Sequence, residues 1–133
     1  MLIYDLDLNA WVQRPGDSTP PQMTPALVAG GTYSIGVQFY RGSELQDMGA
    51  ASVWLARIRV VGVYTGTPIA TASTAAEDGE NMIVFSLTIG TAYFTTNPTL
   101  ESVDCVLAIG YTLDGISSLL TTLPVTIQNS YSS

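Results

Sequence analysis

The stretch that decides the fold is SVDCVLAIGYTLDGISSLLTTLPVTI, residues 102–127. Val103, Cys105, Leu107 and Ile109 recur at every second position, the period of a strand with one buried face. Asp114-Gly115 then breaks the pattern with a residue pair that tolerates the positive φ angles of a tight hairpin turn. The segment therefore reads as two long strands, 102–113 and 116–127, folded against each other.

The same alternation continues outward from this hairpin. Ile83, Phe85, Leu87 and Ile89 mark a strand over 82–89, and Tyr33, Ile35, Val37 and Phe39 mark another after the Gly30-Gly31 break. A β-rich run from Ala51 to Tyr64 places Val53 and Leu55 on one parity and Ile58 and Val60 on the other. That slip predicts a β-bulge between Leu55 and Ile58. Ile69 to Thr74 is a weaker strand, and Glu77-Asp78-Gly79-Glu80-Asn81 is an acidic turn. At the N-terminus Leu2, Tyr4, Leu6 and Leu8 alternate with Asp5 and Asp7, which are expected on the solvent face. Residues 91–100 are irregular, with Asn97-Pro98 as a turn initiator, and no segment sustains a helical apolar period.

Seven or eight strands separated by turn signals predict an all-β protein of two packed antiparallel sheets, an immunoglobulin-like or jelly-roll β-sandwich. Arg14 to Pro25 holds four prolines in twelve residues and is neither helix nor central strand. It is either a loop tying the first strand to the sandwich or an arm reaching a neighbouring subunit. The expected organisation is thus an N-terminal strand and Pro-rich arm over 1–25, a sandwich over 26–129 and a frayed tail over 130–133.

Composition narrows the function. Eleven acidic residues face four arginines, and the 133-residue chain has neither lysine nor histidine, leaving a net charge of −7. Clustered cations for a phosphate backbone are missing, so nucleic acid and an anionic membrane are not expected partners. Without histidine there is no His-based triad and no histidine ligand for zinc; serine and threonine lack the usual base to activate them. No cofactor or metal is expected, and the reading is of a protein that is not an enzyme. Only 11% of residues are charged against a typical figure of roughly 25%. A surface so poor in charge suits a subunit that hides much of itself in an assembly.

The remaining candidates are few. Cys105 shares its parity with Val103 and Leu107 and reads as an inert core thiol. Glu77, Asp78 and Glu80 form the densest carboxylate set, but their spacing is not that of an EF-hand loop, and a solvated turn explains them. Trp54 belongs on a core strand. Trp11 lies outside the main strands and is a candidate anchor for the arm, either on its own sandwich or on a neighbour; with Leu2, Tyr4, Pro20, Pro21, Tyr93 and Phe94 it makes up the candidate interface. Tyr93 and Phe94 are either an exposed pair or a plug over one end of the core. The first eight residues carry Asp5 and Asp7 where a signal peptide would need an unbroken apolar run.

From Gly30 to Asn129 the order of GGTYSIGVQFYRG, ASVWLARIR, TPIATAST, MIVFSLTIG, TAYFTTNPTLES and the closing hairpin resembles the N-terminal domains of phage baseplate upper proteins and related tail-fibre modules. The resemblance implies a small β-sandwich that fastens a receptor-binding or fibre component to a virion, commonly as a trimer. Members of that family usually continue into a helical or fibrous region, whereas this chain stops at Ser133. The expectation is a virion structural protein (tail, baseplate, fibre-attachment or capsid-decorating) that self-associates as a homotrimer and contacts other virion proteins. It would be made in the host cytoplasm and located in the virion. The competing expectation is an extracellular carbohydrate-binding module, which would need Trp11, or Tyr93 and Phe94, exposed on one concave face.

Overall fold

A computed structural model describes residues 1–21, 25–73, 76–77 and 81–130. The elements are β1 (Leu2–Asp5), β2 (Ala10–Val12), β3 (Ala26–Val28), β4 (Thr32–Arg41), β5 (Glu44–Leu45), β6 (Ser52–Val60) and β7 (Ala70–Ala72). They continue with β8 (Ala76–Glu77), β9 (Met82–Thr88), the five-residue helix α1 (Ala92–Thr96), β10 (Ser102–Leu113), β11 (Ile116–Leu119) and β12 (Leu123–Gln128). Among the described residues these strands form two six-stranded sheets. The first runs β2-β1-β4-β9-β8, with β5 beside β4; the second runs β3-β12-β10-β6-β7, with β11 beside β10. The all-β sandwich expected from the sequence is therefore present. Of the tail expected over 130–133, all but Ser130 lies outside the described residues.

The hairpin at Asp114-Gly115 forms as read. The two residues take φ angles of 52° and 76°, and Leu113 pairs with Ile116. The second strand is not continuous, however. β11 and β12 lie along the same side of β10 in registers that differ by one residue, and the slip falls at Leu120–Thr122. One extra residue on one strand is what a bulge supplies, and it lets Leu120 and Leu123, three apart, both point inward.

The sheets are mixed rather than purely antiparallel, because β1 runs parallel to β4 and β3 runs parallel to β12. Parallel neighbours require a crossover. The chain provides it by leaving β2, following the Pro-rich segment to β3 in the second sheet and returning through the Gly30 turn to β4. β1 consequently lies inside the first sheet, between β2 and β4. Within the N-terminal stretch expected as strand and arm, β1 and β2 are thus strands of the first sheet, and residues 22–24 of the Pro-rich segment lie outside the described residues.

Between the sheets lies one core. Val37, Phe39, Ile83, Phe85 and Leu87 come from the first sheet, with Ile89 just beyond the end of β9, and Ile58, Cys105, Leu107, Ile109, Val125 and Ile127 from the second. A connected set of rings spans it: Trp11 to Tyr4 at 5.0 Å, Tyr4 to Phe39 at 6.0 Å, Phe39 to Trp54 at 5.7 Å and Trp54 to Phe85 at 6.0 Å. Tyr111 stacks at 4.8 Å on Trp54. Such pairs each contribute about 0.5–1.5 kcal/mol beyond the area they bury.

Two expectations about parity are corrected. In β6 the buried side chains are Trp54, Ala56 and Ile58, so Val53 and Leu55 point outward and no slip occurs between Leu55 and Ile58. The irregularity sits earlier, where Val53 has φ 53° and the pairing with β10 shifts between Gly110 and Thr112. Asp5, expected in solvent, is 2% exposed. The strand ends there and the chain turns, so its carboxylate accepts the backbone N–H groups of Asp7 at 2.9 Å and Leu8 at 3.0 Å. Asp7 is exposed as expected and pairs with Arg41 at 2.7 Å.

Candidate functional site

The strand pattern leaves the outer face of the second sheet unexpectedly apolar. Along β6 the outward side chains are Leu55, Arg57 and Arg59, and they stand opposite Gly110, Ala108 and Val106 of β10. On the other flank of β10, Leu119 lies opposite Gly110 and Pro124 opposite Val106. A floor of glycine, alanine and valine between larger neighbours makes a hollow rather than a ridge. Val63 and Tyr64, from the loop joining β6 to β7, close one side, and the enclosed space is about 380 Å³. Tyr64 is 82% exposed and Leu119 72% exposed, so apolar surface here faces water.

The loop is held in place by several bonds. Arg59 donates from Nη1 to the carbonyl of Gly66 at 2.9 Å, and the backbone N–H of Val61 donates to the carbonyl of Asp104 at 3.1 Å. Beyond the loop a second depression of about 620 Å³ shares Arg59 and Val63 with the first and reaches Ile69, Thr91 and Tyr93. A third, of about 310 Å³, shares Thr122 with the first and is lined by Trp11, Pro20, Pro21 and Pro124. Together the three form a band running from α1, across the second sheet, to the Pro-rich segment.

The sequence candidates fall on this band only in part. Pro20 is exposed and Pro21 half-buried, and both meet Trp11 in the third depression. Trp11 itself is an internal anchor, 6% exposed, with its Nε1–H donating to the carbonyl of Thr121 at 2.6 Å. Tyr4 is 1% exposed; its hydroxyl accepts the N–H of Thr121 at 3.2 Å, so both rings fasten the N-terminal segment to the β11–β12 junction. Leu2 is half-buried and packs on the core without reaching the band. Phe94 is buried on α1 and Tyr93 packs half-buried beside it, ring to ring at 5.5 Å, as a plug over the end of the core.

Sequence reasoning missed Leu55, Arg57, Arg59, Val106, Ala108 and Leu119. Their signal was present: Cys105-Val-Leu-Ala-Ile109 is apolar on both parities, which marks a strand with two buried or sticky faces rather than one.

Titration adds little chemistry. Burial, with the neighbouring Asp104 charge, pushes the Cys105 thiol up to about 11, which keeps it protonated and unreactive. The Asp17 carboxyl is held below its usual range by the N–H and hydroxyl of Thr19 and the N–H of Ser18. Among the described residues no three Cys, Asp or Glu side chains are grouped to hold a metal ion. Of the acidic turn, Glu77 ends β8, while Asp78 and Glu80 lie outside the described residues.

No model of a known protein family matches this chain, and no curated protein matches it.

Proposed function

We propose that this protein is a structural subunit that works by protein–protein assembly, and that the outer face of its second sheet is the surface it buries against another subunit. The observation that carries this reading is the exposed hollow floored by Val106, Ala108 and Gly110 and rimmed by Leu55, Tyr64 and Leu119. Contiguous exposed apolar surface marks an interaction site far more often than scattered apolar residues do. The edges of the sheets offer less: β2, β3, β7 and β8 are only two or three residues long, one of the ways natural sheets blunt unwanted edge pairing. Within this reading, the order of strands and turns and the charge-poor surface favour a phage virion component of the tail, baseplate, fibre-attachment or capsid-decorating kind, self-associating as a homotrimer. Of the rings that the carbohydrate-module alternative would use, Trp11 and Phe94 are buried and Tyr93 is half-buried, which favours assembly over that reading.

The test is the native mass of the chain by light scattering beside Leu119→Asp. Leu119 is mostly exposed, so the variant is expected to fold normally while a charge in the hollow disfavours the contact. An oligomer that falls to monomer in the variant is the expected result. A chain that is monomeric throughout, or an oligomer indifferent to the variant, removes the basis for the proposal.

A further inference from the structure

The charges beside the hollow, Arg57 and Arg59, are opposite in sign to the chain as a whole. Two of its four arginines, Arg57 and Arg59, stand two residues apart there, against a net charge of −7. Arg59 is engaged with a neutral carbonyl, Gly66, while Arg57 is exposed over Ala108 with no ion pair among the described residues. Asp104 lies at the end of the same face but within ion-pair distance of neither. The face therefore combines an apolar hollow with positive charge that no described residue of its own chain neutralises.

The matching surface is on the same molecule, in the first sheet. The β4–β5 hairpin displays Glu44, Leu45 and Asp47, all exposed. Leu45 and Asp47 share one side of the hairpin, while Glu44 points to the other, beside Arg41, which is paired with Asp7. Asp47 accepts the N–H of Gly49 at 2.8 Å and has its second oxygen to offer. The other described carboxylates of the N-terminal region are less suited: Asp5 is buried, Asp7 is paired and Asp17 is bonded to Ser18 and Thr19.

We propose that the outer face of the second sheet receives the β4–β5 hairpin of a second copy of this chain, with Leu45 entering the hollow over Ala108 and Gly110 and the carboxylate of Asp47, two residues on and on the same side of the strand, meeting Arg57. This inference rests on the assembly reading above. Because the hairpin belongs to the first sheet and the hollow faces away from that sheet, the two halves cannot meet within one molecule. The contact is head-to-tail, the type that closes into a ring or continues as a filament. Charge complementarity of this kind fixes orientation and suppresses wrong partners, and it weakens with salt.

Arg57→Glu and Asp47→Arg test the contact, since both side chains are exposed and neither makes an intrachain ion pair among the described residues. Sedimentation velocity at low salt is expected to show wild-type oligomers and, for either variant alone, self-association displaced about tenfold or more to higher concentration. An equimolar mixture of the two variants restores association into alternating pairs, because the carboxylate introduced on β6 of one then faces the guanidinium introduced just after β5 of the other. Association unchanged in Arg57→Glu, or no rescue on mixing, overturns this contact while leaving an assembly through another surface standing. A wild-type chain that stays monomeric overturns the contact and the assembly reading together.

Discussion

Replacing Trp11 by alanine separates an internal anchor from an intersubunit one. The ring is 6% exposed, meets the Tyr4 ring edge-on at 5.0 Å and donates its N–H to Thr121 at 2.6 Å. Removing a buried tryptophan typically costs about 3–5 kcal/mol, of which the ring pair accounts for roughly 1 kcal/mol and the hydrogen bond for roughly another. A domain of this kind has on the order of 5–15 kcal/mol in total, so the loss is a large fraction of its stability. With a urea m-value of about 1.5 kcal/mol/M, the unfolding midpoint falls by about 2–3 M. Trp11→Phe keeps most of the buried area and loses the donor, so its midpoint should fall by no more than about half as much. Urea titration followed by tryptophan fluorescence and circular dichroism reads both; Trp54 remains as a reporter in each variant. A Trp11→Ala protein within about 1 kcal/mol of wild type would refute the reasoning, since the N-terminal segment could not then be docked as described.

Other consequences are more local. Gly115→Ala should destabilise by about 1 kcal/mol, read as a shift in urea midpoint; no atom lies within 4 Å of the added Cβ, so the cost is that of the positive φ alone. Cys105 should resist thiol reagents in the folded protein and react once urea unfolds it, and equal labelling rates in both states would contradict its burial. Its pH dependence has a definite sign. An unfolded thiol loses its proton near pH ~8.5 and the folded one near 11, so stability is retained below that window and declines as pH rises through it.

What could be read from the sequence was whatever is encoded locally. The Asp114-Gly115 turn and the alternation of Ile83, Phe85, Leu87 and Ile89 are short-range signals, and both appear as read. The parallel pairing of β1 with β4 has no such signal, because the partners are joined by a crossover rather than by a turn. Residues 91–100 contain one helical turn with Phe94 as its buried residue, too short to show a period. In β6 both parities carry apolar side chains, so periodicity could not choose between Leu55 and Trp54. Packing does choose, since only the indole spans the gap to Phe39 and Phe85. The same ambiguity hid the hollow: an outward Leu55 or Val106 looks like core until the sheet beneath it is known. Trp11, Pro20 and Pro21 were singled out together as interface candidates, but their convergence on Thr121 and Thr122 depends on the one-residue slip between β11 and β12, which only the pairing reveals.

The most direct test of the central claim is hydroxyl-radical footprinting of the wild-type chain across a range of protein concentrations, with mass spectrometry locating the modified side chains. Tyr64 and Leu119 are exposed on the hollow, while Leu8, on the turn between β1 and β2, is exposed elsewhere. The account predicts that Tyr64 and Leu119 lose reactivity as the subunits associate and that Leu8 does not. Reactivity at Tyr64 and Leu119 that stays constant while the native mass rises would contradict it.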